Sequence, residues 1–219
     1  MIVEKDIFKD RVDAASHLLK ILPIENMKLE NWIIVATSMG GLVIADEIAS
    51  KIDAKIDYIF THKILAPLNS ECAIATITEK EEVVIHEELD KSFDIDLESI
   101  FVQAKEEYEK YLIPQMNEYK GKALCDLANQ NVLLLDEGLN TGLTMMACIK
   151  TIINMKAKSV AVATPIMPTA IKADLEAISD DLYCYKSIDH FVSIDFYYKE
   201  LNPIFIEDIK KYLKGKQCQ

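Results

Sequence analysis

NVLLLDEGLNTGLT, residues 131–144, decides how this chain is read. Val132, Leu133, Leu134 and Leu135 are apolar without alternation, the pattern of a strand buried on both faces in a parallel sheet covered by helices. The strand delivers Asp136 and Glu137 into a loop of glycine and threonine, and an apolar periodicity over residues 143–155 predicts the helix that follows. In an open α/β sheet the carboxyl ends of the strands face the ligand crevice. The two acids suit neighbouring sugar hydroxyls or a divalent cation held partly through water. Gly138 and Gly142 are expected to open backbone angles closed to other residues, so that loop amides converge on a phosphate. Leu139, Asn140, Thr141, Gly142, Leu143 and Thr144 form that cradle, helped by the free amides of the helix start.

Outward from this stretch the order of elements stays α/β. Residues 8–22 carry Val12, Ala15, Leu18, Leu19 and Leu22 at helical spacing, an opening helix with those groups inward. A strand over residues 32–36 enters Thr37, Ser38, Met39, Gly40 and Gly41, and a helix is expected over 42–52. A strand at 56–60 is followed by a polar turn at 61–70. Residues 72–78 then pair with 82–86 across Glu79, Lys80 and Glu81. Residues 94–122 are charged, with Ile100, Ala104, Tyr108, Tyr111 and Leu112 as a broken apolar stripe, and Pro114 is expected to kink or end that helix near Ile113. Beyond the central motif come a strand at 159–163, a helix at 170–178, a strand at 182–185, an aromatic tail at 191–198 and a closing helix at 204–213. This predicts one domain over 1–219 with an open, mainly parallel sheet flanked by helices, and residues 79–122 inserted as a hairpin and helical hood. Tyr197 and Tyr198 are candidates for a homodimer contact.

Charge narrows the partners. Thirty-six acidic against 24 basic residues give a net charge of −12, which argues against a nucleic-acid backbone. Arg11 is the single arginine. Five scattered cysteines without CxxC spacing read as reduced thiols, and no apolar run approaches the roughly 18 residues of a membrane span. The expectation is a soluble, cytoplasmic protein with no membrane partner. No Gly-Lys-Ser or Gly-Lys-Thr loop, GxGxxG fingerprint, Cys-His cluster or Gly-x-Ser-x-Gly elbow occurs.

The stretch LLLDEGLNTGLT resembles the sugar-diphosphate loop of the type I phosphoribosyltransferases, with Asn140 where threonine is frequent. Five further segments resemble a less characterised branch of predicted phosphoribosyltransferases: FKDRVDAASHLL, ATSMGGLVIA, HKILAPLNSECAIA, VAVATPIMP and HFVSIDFYY. The resemblance implies a Mg²⁺-dependent site for 5-phosphoribosyl 1-diphosphate or a nucleoside monophosphate, with ribosyl transfer to a small-molecule nitrogen acceptor. It implies that Asp136 and Glu137 engage the ribose hydroxyls and the metal, and that residues 139–144 hold the 5-phosphate. It sets Ser38, Met39, Gly40 and Gly41 against the diphosphate and matches Lys63 to the branch's lysine. Arg11 matches the Asp-Arg motif and is expected in an ion pair with Asp10, Asp13 or a sheet-end carboxylate. The branch reads Pro-Arg-Gly-Gly where this chain has Ser38-Met39-Gly40-Gly41. Losing one charge-assisted hydrogen bond costs about 1.5–3 kcal/mol, or roughly ten- to a hundredfold in affinity. A ribose-phosphate-binding regulatory protein is therefore the second reading, and a phosphate-ester hydrolase the third.

Overall fold

The computed structural model describes residues 5–66, 69–86 and 96–218. Five parallel strands form the central sheet in the order β2-β1-β6-β7-β8. They are β1 (Ile33–Ala36), β2 (Lys55–Tyr58), β6 (Asn131–Leu135), β7 (Ser159–Pro168) and β8 (Asp181–Ile188). β6 lies at the centre and is buried along its length. Its side chains divide between two cores because successive residues of a strand point to opposite faces. Leu133 and Leu135 join Leu42, Ile44 and Ile48 of helix α3 (Met39–Ile52) on one face. Val132 and Leu134 join Met145, Cys148, Ile149 and Ile152 of helix α5 (Leu143–Asn154) on the other. An uninterrupted apolar strand is what two covered faces require.

The opening helix is shorter than its periodicity suggested. α1 (Arg11–Leu18) is capped by Asp10, whose carboxylate accepts from the Asp13 amide at 2.9 Å, and α2 (Ile24–Leu29) follows. Ala15 and Leu18 are buried as expected, but Val12 is 48% exposed.

A second, antiparallel sheet has the order β3-β4-β5, from β3 (Thr61–Ala66), β4 (Asn69–Thr78) and β5 (Val83–Ile85). The pairing across residues 79–81 is as expected, with Thr76 opposite Val84. The polar turn expected at 61–70 is instead largely strand. His62 and Lys63 are polar and Leu65 is 36% exposed, so the strand's alternation was hidden. Glu79, read as part of a charged turn, is buried: its carboxylate accepts from the amides of Phe60 at 3.0 Å and Leu124 at 2.5 Å.

Helix α4 (Leu97–Glu107) is continued by a π-helical turn at Tyr108–Leu112, an α-helical turn at Ile113–Gln115 and a second π-helical turn at Met116–Lys120. Pro114 therefore does not end the helix. Proline cannot donate to the ladder and crowds the preceding turn, and the wider i→i+5 winding, seen in Ile113 N–H donating to Tyr108 O, accommodates it. The helix stops at Gly121, which takes φ +75°. Ile100, Ala104 and Leu112 are buried in the core beside β3, whereas Tyr111 stays 37% exposed.

Lys120 closes this segment onto the parallel sheet. Its Nζ lies 2.8 Å from Asp57 Oδ1 and 3.8 Å from Glu79 Oε1 and donates to Tyr58 O at 2.8 Å, and all three charged side chains are fully buried. Burial pushes the Glu79 carboxyl above its ordinary pKa while the Lys120 charge and two amides pull it back. Beside Asp57, Cys125 and Cys218 form a disulfide, which corrects the expectation of five reduced thiols. The two sulfurs are 93 positions apart in sequence, so no local spacing could have announced the pairing.

The chain's aromatic tail folds inward. Tyr197 and Tyr198 are 0% and 4% exposed, Tyr198 against the Phe8 ring and Tyr197 against Phe191 and Phe196, and the isolated bridge Phe8–Tyr198 ties tail to start. They serve the core of their own chain, which removes the basis for reading them as a subunit contact. A short closing helix, α7 (Ile209–Leu213), follows α6 (Lys172–Ile178), the helix between β7 and β8. No helix among the described residues is long and apolar enough to cross a membrane.

Candidate functional site

Asp136 leaves the carboxyl end of β6 beside the start of α3. Its Oδ1 accepts from Ser38 Oγ at 2.5 Å and from the Glu137 amide at 2.7 Å, and its Oδ2 accepts from Thr37 Oγ1 at 2.7 Å. Burial pushes the carboxyl up to about 6, against the pull of the Ser38 and Thr37 hydroxyls and with a further push from Glu137. Ser38 also caps α3, accepting from the Gly41 amide at 2.9 Å. One short side chain thus starts the helix and fixes the acid.

Glu137 is held by distant parts of the chain. Its Oε2 pairs with Arg11 Nε at 2.5 Å, and Arg11 Nη1 donates to Asn202 O at 2.7 Å. The Tyr198 hydroxyl donates to Glu137 O at 2.7 Å. Burial and the Glu137 charge push that hydroxyl's pKa well up, so it remains a donor. Of the partners expected for Arg11, the sheet-end carboxylate is the one it takes.

Gly40 and Gly41 serve the acidic pair from behind. A Cβ on Gly40 would fall 1.8 Å from Glu137 Oε2, and one on Gly41 would fall 2.7 Å from Leu135 O. Their missing side chains let the first turn of α3 close onto the acids. The expected diphosphate loop therefore divides: Thr37, Ser38 and Met39 line the cleft, while Gly40 and Gly41 pack against β6 and its acids.

The cradle from Leu139 to Thr144 also divides. Leu139 is buried and its amide donates to Ile166 O at 3.0 Å, so it is a strut of the loop, contrary to its expected place among the phosphate donors. Gly142 takes φ +74° and caps α5, as foreseen. Gly138 lacks positive φ; its role is steric, since a Cβ there would meet Ile194 and Ile166 at 3.0–3.2 Å. Asn140 and Thr141 are exposed, and the amides of Asn140, Thr141 and Gly142 have no hydrogen-bond partner among the described residues. Thr141 Oγ1 accepts from the Leu143 amide at 3.4 Å. These amides and the first turn of α5 make a concavity whose chemistry suits an anion without a basic side chain.

Acids and cradle open into one cleft of about 560 Å³. Its facing wall comes from β2, β3 and β4 through Tyr58, Thr61, Lys63, Cys72 and Thr76. Lys63 stands exposed on that wall. Thr76 is fully buried, and its Oγ1 has no partner among the described residues. His62, next to Lys63, is committed elsewhere: Nε2 lies 2.6 Å from Glu107 Oε2 and the ring stacks on Tyr111 at 4.8 Å. Sequence reasoning missed Tyr58, Thr61, Cys72 and Thr76, which become wall residues only through the β3–β4 pairing. Tyr198 was noticed only as an aromatic.

As a cage for a bare Mg²⁺ the donors fit poorly. Both oxygens of Asp136 and one of Glu137 are already engaged, whereas Mg²⁺ demands near-octahedral oxygen coordination. Elsewhere among the described residues, the grouping of Asp57, Cys125 and Cys218 is no metal site in this state, because its sulfurs are bonded to each other.

With these elements in place, the chain belongs to the phosphoribosyl transferase domain family, whose model matches residues 6–200. A protein of Mycobacterium tuberculosis, provisionally named a phosphoribosyl transferase, is 21% identical over 207 residues, covering 94% of this chain and 46% of the relative. This chain thus spans about half the length of that relative. The crystal structure of TT1426 from Thermus thermophilus shares the fold with a TM-score of 0.78 at 22% identity, covering 96% of this chain and 99% of that one. A hypothetical protein from Neisseria gonorrhoeae, solved with bound ppGpp, has a TM-score of 0.50 at 13% identity, covering 98% of this chain and 99% of its own.

Proposed function

We propose that the chain transfers a 5-phosphoribosyl group from 5-phosphoribosyl 1-diphosphate to the nitrogen of a small acceptor, a nucleobase or a related molecule. The observation that carries this reading is the polarised cleft: carboxylates at the end of β6, and unpartnered amides a few residues on at the start of α5. Asp136 and Glu137 take the ribose 2- and 3-hydroxyls through their remaining lone pairs. The Asn140, Thr141 and Gly142 amides, with the hydroxyls of Thr141 and Thr144, take the 5-phosphate. Lys63 faces the diphosphate.

As the bond from C1 to the diphosphate oxygen breaks, its electron pair leaves with the diphosphate and positive charge grows on the ribose. The acceptor nitrogen's lone pair forms the new bond, and its proton passes to solvent. Asp136 and Glu137 hold the ring during this change, and Lys63 offsets the leaving charge. Asp136 and Glu137 would be the residues to hold a Mg²⁺ that accompanies the substrate, and the chemistry it would supply is further charge neutralisation. Thr76 Oγ1, buried without a partner in the facing wall, would answer a polar group of the substrate. The wall from β3 and β4 that faces the acids limits the access of water, and none of the described residues between 79 and 122, expected as a hood, lines the cleft. In the cytoplasmic setting expected for this chemistry, the Cys125–Cys218 bond would have to persist against cellular thiols.

Met39 favours a second reading. It lines the cleft where the branch carries arginine, and Arg11 is spent on Glu137. A site with Lys63 as its one cationic lining residue among the described residues would bind ribose phosphates yet turn over slowly, as a regulatory binder. Titration with 5-phosphoribosyl 1-diphosphate, with and without Mg²⁺, followed by a diphosphate-release assay across a base panel, separates the readings. Release with one base establishes the transferase; binding without release with any base establishes the binder. Absence of binding refutes both.

A further inference from the structure

We propose that a second cavity, at the opposite end of β2 from the cleft, is a binding site for a small polyphosphate anion. The cavity measures about 530 Å³ and is lined by Lys55, Lys210 and Lys214 together with Tyr119, Lys120 and Leu213. That volume falls within the roughly 300–1,000 Å³ of small-molecule sites. Lys55 is the first residue of β2, and Tyr58, which lines the cleft, is the last. None of the described residues lines both cavities.

Charge sets this cavity apart. The chain carries −12 overall, yet among the described residues every charged side chain lining this cavity is a lysine. Lys120 is already answered by Asp57 and Glu79. Lys55, Lys210 and Lys214 are exposed and have no ion-pair partner among the described residues. The nearby Asp46 is taken by Lys216 at 2.5 Å. Glu118 and Glu207 lie close enough to act on Tyr119 but do not line the cavity.

Lysines at a helix C-terminus complement its carbonyls, which accounts in part for Lys210 and Lys214. It does not account for Lys55, brought from a different element to the same space. Three mobile ammonium groups around one hollow repel one another, and an anion between them reverses that sign. Ammonium groups act as point charges toward phosphoryl oxygens, with no demand for the planar geometry of a guanidinium. Several such charges in one hollow favour a ligand with more than one phosphoryl group.

The test is calorimetric titration of inorganic triphosphate into the wild-type chain, K55Q/K210Q/K214Q and the cleft variant T141A/T144A. The wild type is expected to bind, more tightly as salt is lowered. The triple lysine variant should lose about tenfold or more in affinity, and T141A/T144A should retain the binding. Should the triple variant melt early without ligand, the single variants K55Q, K210Q and K214Q replace it, each expected to weaken binding. No triphosphate binding by the wild type, undiminished binding in the lysine variants, or loss of all binding in T141A/T144A would each overturn the proposal. Failure of the transferase reading shows instead in the cleft titration with 5-phosphoribosyl 1-diphosphate, which the lysine variants should leave intact.

Discussion

Replacing Asp136 by asparagine should make the protein more stable at neutral pH while crippling the cleft. The folded chain ionises this carboxyl at about 6 because it is buried. The unfolded chain does so near 3.9. Between those values the native state binds the extra proton, so the group costs nothing below about pH 4 and its full penalty above about pH 6. Two pKa units correspond to roughly 3 kcal/mol, an upper value because Asp136 keeps 7% of its surface exposed at the cleft. Asparagine fits the same bonds: Oδ1 accepts from Ser38 Oγ and the Glu137 amide. Its Nδ2 donates to Thr37 Oγ1, whose own proton turns to Leu135 O, now 3.4 Å away. Urea unfolding of both proteins should show Asp136→Asn gaining up to about 3 kcal/mol near pH 8 and nothing near pH 4. Ribose 5-phosphate affinity should fall roughly ten- to a hundredfold, the value of a hydrogen bond to a charged group. Glu79 is shifted in the same direction in both proteins, so the difference between them isolates Asp136. A variant less stable than wild type near pH 8, or equally stabilised at both pH values, would refute the reasoning.

Gly40→Ala places a methyl group on the Glu137 carboxylate, so ribose 5-phosphate binding measured by calorimetry should weaken at least about tenfold even if the melting temperature changes little. Lys120→Met leaves Asp57 and Glu79 as buried acids without their cation, and chemical denaturation should show a loss of about 3–5 kcal/mol near neutral pH. Dithiothreitol, or Cys125→Ser with Cys218→Ser, opens a closure spanning 93 residues; the chain-entropy estimate is about 4–5 kcal/mol, to be read from the shift in urea midpoint. A reduced protein that unfolds at the same midpoint would show that the bond does not constrain the unfolded chain.

The parallel sheet was readable because its strands are buried on both faces, and β6 and α5 declare themselves through runs and periods that need no tertiary information. The antiparallel sheet was half hidden. Leu65 is exposed where alternation needs a polar residue, and His62 and Lys63 look like turn residues until Glu107 and the cleft give them partners. Asp136, Glu137 and the Gly142 turn could be placed from sequence because a strand end and a helix start are local events. The support around them is nonlocal: Arg11 and Tyr198 meet Glu137 across 126 and 61 positions, and Asn202 meets Arg11 across 191. Glycine was the ambiguous residue. In sequence, Gly40 and Gly41 signalled a loop open to ligand, and Gly138 a special backbone angle. In the structure all three are close-approach positions, a property set by what lies opposite.

The Cys125–Cys218 bond also has a mechanical consequence. A force pulling apart the ends of this chain would pass through the disulfide and bypass the 93-residue span it closes. That span contains β6, the loop from Asp136 to Thr144, α5, β7 and β8. Roughly 300 Å of contour length would stay out of the load path until the bond is reduced. The cradle strands are therefore shielded covalently from tension that would unravel α1, β1 and β2, making the ligand-bearing half of the molecule the last to be drawn out.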